Sequence, residues 1–127
     1  MITLLTAFLL TIPLNSEASI RDYIYARAIA HNYSPVKATL IAECESSLNS
    51  NAHSKTSSAE GQFQFVDKTW YGVMKQMGLP TTTPKTDPHF NIEAGLYLLD
   101  KEGDKHWSSS KGCWLPKYQE YLLSVET

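Results

Sequence analysis

No cluster of lysine or arginine occurs in this 127-residue chain; 11 basic and 13 acidic side chains are mixed along it to a formal net charge of −2. Phosphate neutralisation needs concentrated cations, so no nucleic-acid partner is expected. The four histidines, His31, His53, His89 and His106, show no HExxH spacing and no paired CxxC accompanies them, so no metal site is expected. A GxSxG elbow and a phosphate-binding glycine loop are also missing, and with them any sign of a cofactor. There is no internal repeat and no low-complexity tract. No apolar run reaches the about 20 residues that span a bilayer, so stable membrane insertion is not expected.

What is present fits one small globular unit. Hydrophobic residues make up 43% and aromatics 11%, enough for a single core at this length. The apolar stretch from Ile2 to Leu14, followed by the small residues Ser16 and Ala18 around Glu17, reads as the h-region and cleavage site of an export signal over residues 1–18. No Lys or Arg precedes it, and an N-terminal core helix or an uncleaved anchor is the competing reading. Export would place residues 19–127 in the periplasm or outside the cell. Cys44 and Cys113 are the two cysteines. In an oxidising compartment one bridge between them would contribute about 4 kcal/mol through loop entropy; two buried free thiols are the alternative.

Hydrophobic periodicity predicts a mainly α domain (α+β class) with at most a short central β-hairpin. Ile20, Tyr23, Ile24, Arg27, Ala28 and His31 recur at helical spacing. Ser34 and Pro35 then open a second helix with Val36, Leu40, Ile41 and Cys44 as its apolar stripe. Residues 46–60 are nearly all polar and read as a loop, and "GQFQF" alternates for too few residues to define a strand. Asp67 is expected to cap a helix carrying Trp70, Val73, Met74 and Met77, ended by Gly78. Asp87 and Pro88 start another, stopped by Gly103, in which Gly95 predicts a close backbone approach. "HWSSSKGCW" reads as a loop, and Pro116 as the start of a short terminal helix. Trp107 and Trp114, in that loop, could line the edge of a cleft or be buried against a disulfide.

The chemistry narrows to carboxylates. Glu43 and Glu45 project about 160° apart on a helix, so only one can share the face of Ile41. That one is Glu45; Glu43 is expected to face solvent. A carboxyl resting against apolar side chains has its charged form disfavoured, which suits a general acid. A solvated helix-end glutamate is the plainer alternative.

The run "ECESSLNSNAHSKTSSAEGQFQF" resembles the core of the soluble-lytic-transglycosylase (SLT) type of domain, in the goose-lysozyme-like branch of the lysozyme superfamily. The matching motifs are Glu45-Ser46, the Asn49 and Asn51 turn, Ala52-His53-Ser54, and Gly61-Gln62-Phe63-Gln64. "IAHNYSPVKATLIAECES" upstream and "DPHFNIEAGLYLL" downstream are similar to the flanking helices of that family. The resemblance implies a lysozyme-like fold, peptidoglycan glycan strands as substrate, and Glu45 as the single catalytic acid and base. It places Ser54 near Glu45 or the substrate, and has Gln64 and the backbone around Val66 line the sugar subsites. No second carboxylate is needed when the sugar's own 6-hydroxyl is the nucleophile; Glu60 and Asp67 are the nearby alternatives for a hydrolytic scheme. The chain departs from the family where Gln62-Phe63-Gln64 replaces a hydrophobic-Met-Gln triplet. No Tyr-Asn-Ala-Gly motif follows Tyr97, so transglycosylation and hydrolysis both stay open. A monomer is expected; wall remodelling, an envelope-spanning secretion or conjugation apparatus, or a phage would all suit such a chain.

Overall fold

A computed structural model describes residues 13–126. Among them are five α-helices: α1 (Glu17–Ala30), α2 (Pro35–Ser46), α3 (Asp67–Gln76), α4 (Pro88–Glu102) and α5 (Lys111–Glu126), with a 3-10 segment, Lys105–Ser110, between the last two. The domain is mainly α, as the periodicity predicts. The would-be hairpin is reduced to two isolated bridges, His53 with Glu60 and Glu60 with Phe65. Most of the apolar segment read as an export signal lies outside the described residues. None of the described helices is long and apolar enough to cross a membrane.

Local chemistry sets the helix ends. At α1 the Ser16 side chain accepts the Ser19 N–H and the Ser19 hydroxyl reaches back, a reciprocal capping box. Ser34 accepts the Lys37 N–H ahead of Pro35 at the start of α2, and Asp87 accepts the Phe90 N–H ahead of Pro88 at the start of α4. Gly78 and Gly103 follow the ends of α3 and α4 with φ of 70° and 76°, values that suit a residue without a Cβ.

Three local expectations are corrected. Asp67 does not cap α3: Val66 occupies the cap position without a side-chain bond, and the Asp67 carboxylate is held by Lys85. Pro116 does not start the last helix but lies inside it, five residues past its first residue. "HWSSSKGCW" is therefore not a loop; it forms the 3-10 segment and the first turn of α5. The buried face of α2 runs through Ala38, Ile41 and Ala42, with Val36 and Leu40 only half-buried. Small residues on that face let α1 approach closely, and Tyr23 and Ile24 lie in the same buried cluster.

The core joins all five helices around Phe63, Phe65, Trp70, Ile92, Leu96, Trp107 and Trp114. Both tryptophans left open by sequence are buried. The Trp107 indole N–H donates to the Phe63 carbonyl at 2.9 Å and the Trp114 indole N–H to the Trp107 carbonyl at 3.1 Å. Between α1 and α4, the buried Glu93 carboxylate is bonded by the Arg27 guanidinium and by His31 Nε2 at 3.0 Å. Burial works against its ionisation, but those two bonds outweigh burial and hold the carboxyl below its usual range.

Gly95 fulfils its expectation. A Cβ there would sit 2.6 Å from the Phe63 ring, and that ring packs edge-on against Trp107 at 5.6 Å. Gly95→Ala would gain about 1 kcal/mol of helix propensity. Overpacking a fully buried ring costs up to about 3 kcal/mol, so a net loss of about 1 to 2 kcal/mol is expected. Urea unfolding checks this, and a variant more stable than wild type would refute the close contact.

Candidate active site

Glu45 lies in the last turn of α2, on the stripe formed by Ala38, Ile41 and Ala42 at i, i+3, i+4 and i+7. That stripe packs inward, so the carboxyl is carried to the edge of the core instead of into bulk solvent. Glu43, on the opposite side, is not simply solvated: the Arg21 guanidinium from α1 bonds it. One residue after Glu45 the helix ends. Ser47 and Leu48 both take left-handed backbone, φ 54° and 63°, and Leu48 is driven into the core. The Ser46 hydroxyl lies 3.0 Å from the Ala42 carbonyl and 2.8 Å from the Gln62 carbonyl, tying the helix end to the "GQFQF" turn.

That turn is built by two residues with positive φ, Gly61 at 84° and Gln64 at 52°. A Cβ on Gly61 would fall 2.1 Å from Asn91 Nδ2, which explains why a glycine is required. Asn91, fully buried on α4, accepts the Phe63 N–H at 2.9 Å and donates to the Lys85 and Glu60 carbonyls at 2.7 and 3.2 Å. The Gln64 amide donates to the Gly61 and Ala52 carbonyls at 2.9 and 3.1 Å. The polar loop is likewise self-bonded. Ser54 Oγ accepts the backbone N–H groups of Thr56 and Ser57, each at 3.1 Å, and the Ser54 N–H donates to the Ala59 carbonyl at 2.9 Å.

These pieces enclose a cleft of about 340 Å³, within the range of small-ligand sites. Glu45, Ser54, Gln64 and Val66 all line it, so the four residues singled out by sequence for catalysis and sugar binding come together on one surface. Ser54 and Gln64 use their polar atoms to shape the loop and the turn. Sequence reasoning missed Ser57, Thr69, His106 and Ser109, which also line the cleft. The 3-10 segment supplies His106, Trp107 and Ser109; it carries no helical apolar period, so nothing in the pattern announces it as a wall. Glu60 and Asp67 line no part of the cleft: Lys85 Nζ lies 3.3 Å from Glu60 Oε1 and also holds Asp67.

The wall is fastened by a disulfide. Cys44, next to Glu45, is bridged to Cys113 at the start of α5, with Cα atoms 6.0 Å apart. Burial pushes the Glu45 carboxyl above its ordinary range, while a hydrogen bond from Ser110 works in the opposite direction. The Ser110 hydroxyl also lies 3.1 Å from the Trp107 carbonyl. Its one proton turns to the carboxylate when Glu45 ionises, because the charge-assisted bond is the stronger. Ser110→Ala should therefore raise the Glu45 pKa further. The check is titration of the Glu45 side-chain carboxyl by carbon NMR; an unchanged or lower value would refute the bond.

A protein, then, with one carboxyl kept easy to protonate at the mouth of a polar cleft can deliver that proton to a bound leaving group. A family model described as the transglycosylase SLT domain matches residues 22–110. The match runs from α1 through the last residue of the 3-10 wall and includes every residue lining the cleft. No curated protein and no solved structure matches the chain.

Proposed function

Because the chain belongs to the transglycosylase SLT-domain family, whose general activity is on peptidoglycan outside the cytoplasm, we propose that it is a lytic transglycosylase in which Glu45 alone serves as acid and then base. The observation carrying this reading is that, among the described residues, Glu45 is the one carboxylate lining the cleft. A hydrolase of the usual kind needs a second carboxylate about 5 to 9.5 Å away, to act as nucleophile or to activate water. Glu60 and Asp67, the alternatives offered by the sequence, are committed to Lys85, and Glu43 is bonded by Arg21 on the other side of α2.

In the proposed reaction the glycan strand lies along the cleft with the N-acetylmuramic acid to N-acetylglucosamine link over Glu45. The protonated carboxyl gives its proton to the bridging oxygen as the bond from that oxygen to the anomeric carbon breaks. Positive charge develops on the muramyl ring, and the carboxylate just formed stabilises it. The same carboxylate then takes the proton of the ring's 6-hydroxyl, whose oxygen closes onto the anomeric carbon. The products are a free 4-hydroxyl end and a 1,6-anhydro end; no water is consumed and Glu45 is again protonated. Phe63, Phe65 and Trp107 contribute apolar side chains to the lining, and burial of the carboxyl favours the neutral acid at the start of each cycle.

The reading places the working domain in the periplasm or outside the cell as a monomer; cleavage after Ala18, the site read from the sequence, would remove the Ser16 cap and the first two residues of α1. An oxidising compartment suits the Cys44–Cys113 bridge. The test is digestion of purified peptidoglycan followed by mass spectrometry of the products. Anhydro-muropeptides are expected. Reducing muramyl ends would replace the proposal by a muramidase, and intact peptidoglycan after prolonged incubation would leave only a wall-binding or assembly role.

A further inference from the structure

Among the described residues, two groups lining the cleft can change charge: Glu45 and His106. Glu45 has its part in the proposed reaction; His106 has none. Among the described residues it is also the one lining side chain that can carry positive charge. Its ring stands edge-on to Trp107, centroids 5.9 Å apart and planes at 72°, so the indole limits its rotation.

The surrounding charges orient it. Nε2 lies 3.5 Å from Glu102 Oε2, and Lys105 holds the other oxygen of the same carboxylate at 3.0 Å. Lys105, with His106 in a lesser part, keeps Glu102 below its ordinary range and therefore ionised. Lys37, the other cation close by, is taken up by Asp104 at 2.7 Å. With Nε2 directed at Glu102, Nδ1 makes no hydrogen bond among the described residues, and the ring still forms part of the cleft wall.

We infer that His106 is a specificity contact for a carboxylate on the glycan substrate, the lactyl carboxylate of the muramic acid residue. The inference rests on the peptidoglycan reading of the cleft. Of the two sugars in such a strand only the muramic one bears an acid, and a cleft whose sole other titratable group works in its protonated, neutral form sets no charge against it. An imidazolium donating to that carboxylate would favour strands freed of their peptide stems, where the acid is unmasked, over strands in which it is tied up as an amide. Thr69 and Ser109 offer hydroxyls for neutral sugar groups but no charge.

The experiment measures binding by calorimetry in a Glu45→Gln background, which blocks turnover. Two ligands are compared: stem-free glycan strands with free lactyl carboxylates, and the same strands with those carboxylates converted to primary amides. Adding His106→Gln should weaken binding of the carboxylate strands about ten-fold, the size of one partly exposed charge-assisted hydrogen bond, and leave amide strands unchanged. His106→Lys, which keeps a cation there, should recover most of the loss on the carboxylate strands. The inference is overturned by equal binding of the two ligands, by a His106→Gln loss that is the same for both, or by no detectable binding of the carboxylate strands. Failure of the peptidoglycan reading registers separately, as absence of cleavage of intact peptidoglycan by the wild-type chain.

Discussion

Glu45→Gln is expected to lower peptidoglycan turnover by about a thousand-fold or more, with little change in stability. A positioned general acid contributes about 10²- to 10⁴-fold, and here one carboxyl is asked to give a proton in one step and take one in the next. Glutamine has the same shape and can hydrogen-bond, but does neither. Because burial already disfavours the charged carboxylate, a neutral isostere removes no favourable ion pair, and the melting temperature should stay within a few degrees of wild type. The measurement pairs initial rates of soluble muropeptide release with thermal unfolding. Retained turnover would remove Glu45 from the chemistry; a large loss of stability would mean that the activity loss is not chemical.

The direction of the pKa shift gives this prediction a pH dependence. The productive form is protonated, so activity falls as pH rises through the Glu45 pKa. Burial moves that pKa above the ordinary glutamate range, so the alkaline limb should lie above where an exposed glutamate would put it. A limb in the range of an exposed glutamate would contradict the half-buried setting of the carboxyl.

Loss of the Cys44–Cys113 bridge should cost about 4 kcal/mol, a loss expected to lower the melting temperature by roughly 15 °C. The bridge spans a sequence separation of 69 residues, and long loops gain most from closure in the chain-entropy account. The consequence reaches the cleft because the bridge joins the residue before Glu45 to the helix that follows the 3-10 wall. Without it, that wall is held to the body mainly by the Trp107 and Trp114 indole bonds and their packing. The double variant Cys44→Ala, Cys113→Ala avoids leaving a reactive thiol, and wild type with reductant gives the same comparison without mutation. Turnover should decline in both at temperatures where far-ultraviolet circular dichroism still reports folded helices. A melting temperature unmoved by reductant would refute the stabilising role.

Much of the domain was legible in local chemistry. Ser34-Pro35 and Asp87-Pro88 open helices because a side-chain acceptor followed by a residue lacking an N–H satisfies the first turn wherever it occurs. The failures have equally physical causes. Asp67 looks like a cap, but Lys85, distant in sequence, competes for its carboxylate. Pro116 looks like a helix start, yet packing of Trp114 and the bridge at Cys113 extend the helix back to Lys111, which tolerates the carbonyl that proline leaves unpaired. The 3-10 wall was invisible because a six-residue segment with one buried side chain has no period to detect.

By itself the sequence determined the helical class, the Ser34-Pro35 and Asp87-Pro88 helix starts, the SLT motifs, and Glu45 as the carboxylate sharing the face of Ile41. These follow from interactions between residues a few positions apart, or from an ordered set of motifs. Only the tertiary structure decided that Glu45, Ser54, Gln64 and Val66 line one cleft, that Glu60 and Asp67 do not, and that His106 does. Those outcomes depend on which distant side chain reaches a group first, Lys85 for the two acids and Asn91 for the turn, and no local spacing encodes that competition.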